Sequence, residues 1–233
     1  MQKLTFLLFI GLLSCNSQKK ELKDNVLPKN TESEIVAKLS GKEIVTELDK
    51  LDFFNLTDKS ELETVKQEFA ESKDKWNFFS GKMRGETTDF TDNRFMTIDC
   101  EELFEAGGLE VYLKKVKNVF DKLELNFVYR NEESYQTENY WKHTININGV
   151  IYNAFDGSFS DNDWGISYSN FLIMVNDQLK HQNTDNSFYP INCANDGMIV
   201  LLTKKQFDFV KEHYPNDNEH PKELSEWMIL NGL

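Results

Sequence analysis

The tightest constraint in this sequence is the dipeptide Asn148-Gly149, set between two runs in which apolar and polar residues alternate. A two-residue turn joining twisted strands needs positive φ at both central positions, and Asn-Gly accepts that most readily. The turn fixes a register. Ile147 faces Val150, Ile145 faces Tyr152, and His143 falls on the same side opposite Ala154, at the edge of a core. A second hairpin is expected around Asn195-Asp196-Gly197. With Asp196-Gly197 as its turn, Cys193 faces Val200 and Ile191 faces Leu202.

Helical periodicity surrounds these strands. Ser40-Gly41-Lys42-Glu43 has the form of a capping box, followed by Ile44, Val45, Leu48 and Leu51 on one face. A second helix is expected from about Asp58, with Leu62, Val65, Phe69 and Trp76 inward. Phe95–Ile98 reads as a short strand, Asp99 as the cap of a helical turn, and Leu109 to Leu123 as a strongly amphipathic helix. Leu125, Phe127 and Tyr129 alternate as a strand. Tyr168, Phe171, Leu172, Val175 and Leu179 mark another helix, and Thr203 caps one carrying Phe207 and Val210. His220-Pro221 opens a last one, with Leu224, Trp227 and Met228 inward. The pattern predicts an α+β fold: an antiparallel sheet of five or six strands built from hairpins and packed against several amphipathic helices. Residues 41–233 form one globular domain in this reading, with 41–78 as an N-terminal helical pair.

The chain opens differently. One lysine precedes an apolar run from Leu4 to Leu13, about 15 Å long as a helix and too short for a bilayer core of roughly 30 Å. A charged start, a short apolar stretch and a small residue are the marks of an export signal. Its last four residues, Leu12-Leu13-Ser14-Cys15, resemble the lipobox of bacterial lipoproteins. The resemblance covers residues 1–15 and implies removal of 1–14 and acylation of Cys15. An ordinary cleaved signal, with Cys15 an incidental thiol, is the alternative. Residues 15–40 then read as a lipidated cysteine and a polar tether. Asn16 stands where Asp would favour inner-membrane retention, so the resemblance implies the cell envelope, with the outer membrane as the expected address.

The net charge of −13 excludes a nucleic-acid partner, because phosphate backbones are held by a basic surface. It suits export and solubility, and it would also steer a basic protein partner. Beyond Cys15, two cysteines remain, Cys100 and Cys193. In an oxidising compartment they form either a disulfide or two buried thiols.

Signs of chemistry are sparse. The sequence holds no nucleophile elbow, no glycine-rich phosphate loop and no paired-cysteine metal motif. The run DGSFSDNDWG gathers Asp156, Phe159, Asp161, Asp163 and Trp164. Acids and aromatic rings on one loop make it the expected place for a partner or ion to touch. Asp161 and Asp163 offer a weak divalent-cation site, but the spacing of a calcium loop is missing, and no cofactor is predicted. The plain alternative is a solvated loop using Asp and Asn for tight turns. The reading is a lipid-anchored envelope protein acting as a non-enzymatic binding module, such as an immunity-type protein capturing a basic partner. The alternative is an envelope hydrolase with a carboxylate- or metal-dependent site.

Overall fold

The computed structural model describes residues 39–79, 81–85, 90–105, 107–193, 196–214 and 220–233, without the side chains of 192, 193 and 196. The signal, the tether and Cys15 lie outside the described residues. The fold is α+β, and among the described residues six antiparallel strands divide into two three-stranded sheets.

Local chemistry sets many of the boundaries. Ser40 and Glu43 close the expected capping box on α1 (Gly41–Lys50). A 3₁₀ turn (Phe53–Leu56) leads to α2 (Leu62–Trp76). The Asp99 carboxylate, ending β1 (Phe95–Asp99), accepts from the Glu102 N–H and starts α3 (Cys100–Phe104). The amphipathic helix α4 (Gly108–Lys122) follows, then β2 (Tyr129–Gln136), β3 (Tyr140–Ile147) and β4 (Val150–Ser158). The chain continues with α5 (Asp163–His181), β5 (Asn186–Cys193), β6 (Asp196–Thr203), α6 (Lys204–His213) and α7 (Leu224–Leu230).

The first sheet runs β1-β6-β5 and is covered on both sides. Along β6, Val200 and Leu202 join a core made by α1, α2, the 3₁₀ turn and α6. Ile199 and Leu201 point the other way, into a larger core with α3, α4 and α5. The second sheet runs β2-β3-β4 and adds Ile145, Ile147 and Ala154 to that larger core.

Helix α5 joins the two sheets. The Tyr168 hydroxyl donates to the Met198 carbonyl of β6, and Asn176 bonds both the N–H and the carbonyl of Phe188 on β5. Toward the second sheet, Asn170 reaches the Ala154 carbonyl, and Tyr152 reaches Asp177. A helix gripped on both flanks is apolar around most of its circumference. Tyr168, Phe171, Leu172, Met174, Val175 and Leu179 are all buried.

Several expectations need correction. Asn148 (φ 51°) and Gly149 (φ 90°) make the expected turn, and Ile147–Val150 and Ile145–Tyr152 pair as expected. A bulge beyond Thr144 then sets His143 opposite Phe155, not Ala154. In the second hairpin Asp196 and Gly197 stand inside β6, so Val200 faces Tyr189 and Leu202 faces Ser187. Gly197 is there for packing: a Cβ would come 2.5 Å from the Tyr168 ring. Residues 125–128 are not strand, and β2 begins only at Tyr129. Trp76 is 77% exposed, because α2 ends there and its last turn overruns the core. Lys73 is buried in its place, over the Tyr214 ring and donating to the His213 carbonyl. The last helix starts at Leu224, since the Lys222 N–H bonds the Pro190 carbonyl of β5 instead of opening a helix.

Candidate functional site

The loop that gathers acids in the sequence does not gather them in space. Asp163 sits in the first turn of α5, mostly buried, and its carboxylate accepts from the Ser160 N–H and hydroxyl. Trp164 packs on the large core, and Phe159 lies edge-on to Phe104. Asp161 stays exposed. Among the described residues no group of three or more His, Cys, Asp or Glu is placed to hold a metal ion. Cys100 is buried with its Sγ 3.8 Å from the Ile98 carbonyl oxygen. The Cys100–Cys193 pairing falls on a side chain outside the described residues.

Asp156 leads elsewhere, to the outer face of the second sheet. Period-2 alternation sends Trp141, His143, Ile145 and Ile147 of β3 inward and Tyr140, Lys142, Thr144 and Asn146 outward. Antiparallel pairing brings Arg130, Glu133 and Tyr135 of β2 and Ile151, Asn153 and Asp156 of β4 to the same outer side. Tyr135 is 63% exposed and Ile151 72%. Lys142 donates to Asp156 at 2.8 Å, and the Tyr140 hydroxyl donates to its other oxygen. Those two bonds, Lys142 first, hold the Asp156 carboxyl below its ordinary range. The same bond raises the Tyr140 phenol.

The inner side of this sheet explains why the outer side is well formed. His143 is buried and stacks on Trp141, with ring centroids 4.9 Å apart. Its Nε2 lies 2.6 Å from a Glu132 carboxylate oxygen, and the Trp141 indole donates to the Ser134 hydroxyl. Glu132 can reach inward because the ladder shifts between Arg130 and Glu133. A bulge re-aims a side chain in this way. With His143 buried and Glu132 half-buried, the pair ties an otherwise polar edge strand to the sheet.

One end of the sheet carries further charge. The Phe159 N–H bonds the Asn139 carbonyl, setting the β2–β3 turn beside the end of β4. Glu138 lies in that turn. Glu133, Glu138, Asp156 and Asp161 are exposed carboxylates against the two exposed cations Arg130 and Lys142. Of the loop residues singled out in the sequence, the structure brings Asp156 to this surface, leaves Asp161 exposed in the turn before α5, and turns Asp163 and Trp164 away. Tyr135, Tyr140 and Ile151 were not expected there. The signal available for Tyr140 was its alternation with Trp141 and His143, whereas β2 carries too few apolar residues to show a period.

Set beside known proteins, the chain matches no family model, no curated protein and no solved structure.

Proposed function

We propose that this protein is a lipid-anchored binding module of the cell envelope, whose outer sheet face captures a basic protein partner. The anchor and the address rest on the N-terminal resemblance, with Cys15 as the acylated residue. The observation that carries the binding role is the outer face of β2-β3-β4. It is a strand-paired surface with exposed Tyr135 and Ile151 and the exposed carboxylates of Glu133 and Asp156, with Glu138 in the adjoining turn. Tyrosine offers a large contact area with little conformational entropy to lose, and it is enriched at interfaces. Unlike charge across the contact raises the encounter rate and rejects acidic competitors.

The test uses the full-length protein in native membranes, with a photoreactive residue at Tyr135 and, as control, at Lys50 on α1. One salt-sensitive adduct from position 135, lost in Glu133→Lys/Asp156→Lys and missing at position 50, is the expected result. An adduct that is unaffected by both charge reversals would overturn the reading. Palmitate labelling that survives Cys15→Ala would remove the anchor.

A further inference from the structure

Helix α2 carries a surface that the core does not use. Val65 and Phe69 turn inward. Thr64, Gln67, Glu68, Glu71 and Lys75 recur on another face, at the 3–4 residue spacing of one helical stripe. Asn77 ends the helix in the left-handed region, at φ 53°. The Ser72 hydroxyl then donates to the Phe78 carbonyl, and Phe79 joins the smaller core. Lys82 is held through its carbonyl, which accepts from the Thr91 N–H and hydroxyl. The helical stripe and Lys82 line a pocket of about 450 Å³, within the range typical of small-molecule sites.

The charges of the described lining cancel. Two carboxylates, Glu68 and Glu71, stand against two ammonium groups, Lys75 and Lys82. Glu71 is bound to Lys75 at 2.7 Å and accepts from the Gln67 amide at 2.8 Å. Those bonds, Lys75 first, hold the Glu71 carboxyl below its ordinary range. Glu68 behaves differently. Burial pushes its carboxyl up, and the charge of Lys82 only partly offsets this. Its Oε2 is buried without a hydrogen-bond partner, an acceptor left unused. The terminal torsion of a glutamate is broad and roughly two-fold, so a small rotation turns that oxygen toward the pocket. Trp76 borders the same pocket and is 77% exposed. Trp141 and Trp227 are buried and Trp164 packs on the large core, so Trp76 is the tryptophan that folding leaves in water.

We infer that this pocket binds a neutral saccharide, with one pyranose ring lying on the Trp76 indole and its hydroxyls bonded to Glu68 and Gln67. A pyranose with equatorial substituents presents a face of C–H groups, which suits the negative face of an aromatic ring. Its border of hydroxyls both donates and accepts. Glu68 offers the unused acceptor. Gln67, whose amide nitrogen is turned to Glu71, offers its carbonyl oxygen. Lys82 is a donor on the other side. A lining of two positive and two negative groups gives an ion of either sign no net attraction, which favours an uncharged ligand. The site shares no residue with the outer sheet face and does not depend on the protein-capture reading.

The test is a ligand-observed NMR titration of the full-length Cys15→Ala chain with triacetylchitotriose, cellotriose and maltotriose. Saturable binding of at least one trisaccharide is expected, and its affinity should change less than about twofold between low and high salt, because an uncharged ligand is not screened. Sorbitol has hydroxyls but no ring face, so it should bind at least about tenfold more weakly. Affinity should fall at least about tenfold in Trp76→Ala and in Glu68→Ala, recover in part in Trp76→Phe, and stay within about twofold in Tyr135→Ala on the outer sheet face. The parent's tryptophan emission should shift to the blue on binding, and that shift should vanish in Trp76→Phe. No saturable binding of any of the three, equal binding of sorbitol, or full affinity in Trp76→Ala would overturn the proposal. Circular dichroism of each variant separates lost binding from lost fold.

Discussion

The two sheets of this protein are built from the same number of strands and are covered differently. The β1-β6-β5 sheet is buried on both faces, so its middle strand reads Met198-Ile199-Val200-Leu201-Leu202 without a polar break. The β2-β3-β4 sheet is buried on one, so its middle strand alternates Trp141, His143, Ile145 and Ile147 with Lys142, Thr144 and Asn146. Continuous apolar strands follow from two covered faces, and alternation from one. The first sheet therefore concentrates stability, and the second leaves a face open to solvent. Doubly covered and singly covered sheets thus fall in different parts of one chain.

The largest break should come in the twice-covered sheet. Leu201→Ala deletes a fully buried side chain and should lower stability by about 2–5 kcal/mol, read from the urea midpoint at unchanged slope. Arg94→Met should be comparable, about 3–5 kcal/mol. The Arg94 guanidinium donates to the Phe53, Asp52 and Leu201 carbonyls and to Asn55. Burial draws its pKa down to about 10, so it remains charged at neutral pH. Its loss would leave those carbonyls without a donor and free the 3₁₀ turn from β6.

A smaller effect is expected where the second sheet is pinned to its surroundings. The Asn148 side chain accepts from the Val128 N–H and donates to Gln178 and to the Asn126 carbonyl. Asn148→Gly keeps the positive φ and loses those bonds, which should lower stability by about 1–3 kcal/mol. Asn148→Ala adds a further cost of about 1 kcal/mol for the left-handed backbone. A difference between the two variants isolates the turn from the tertiary bonds.

Alkaline pH sharpens the comparison further. Tyr189 lies in the first sheet and Tyr152 in the second, and desolvation leads the causes that push each phenol up to about 12. Unfolded tyrosines ionise near 10. Their contribution to stability is thus complete below about pH 10 and is lost as pH rises toward 12. Stability measured across that window should fall less steeply in Tyr152→Phe than in the parent. An identical slope would place Tyr152 in water.

The smallest stability change belongs to the open face. Tyr135→Ala and Ile151→Ala should each alter unfolding free energy by under about 0.5 kcal/mol, while Ile151→Ala in the protein with the photoreactive residue at position 135 loses the crosslinked partner. A destabilisation above about 2 kcal/mol would mean that the face is part of the core.

Elements bounded by local chemistry were legible in the sequence. Ser40 with Glu43, Asp99 with Glu102, Thr203 with Gln206 and the Asn148-Gly149 turn each place their partners within three residues of one another. What the sequence concealed depends on distant partners. Arg94 donates its hydrogen bonds to carbonyls some forty and some hundred residues away, and a carbonyl has no letter of its own. Gly197 resembled a turn residue until Tyr168 was seen against it. Strand β2 shows no period because its edge position exposes most of its side chains. The candidate site is similarly divided. Asp156 was chosen for its neighbours in sequence, yet it works with Lys142 and Tyr140 across the sheet.

By itself the sequence determined the α+β class, the two hairpins and the amphipathic helices, since periodicity and capping act over a few residues. Tertiary structure alone decided that the strands would divide into two sheets around α5. The same packing left one sheet face open beside acids and left Trp76 exposed beside a pocket along α2. Those outcomes depend on which faces remain after apolar surface has been buried, and that remainder is a property of the whole chain.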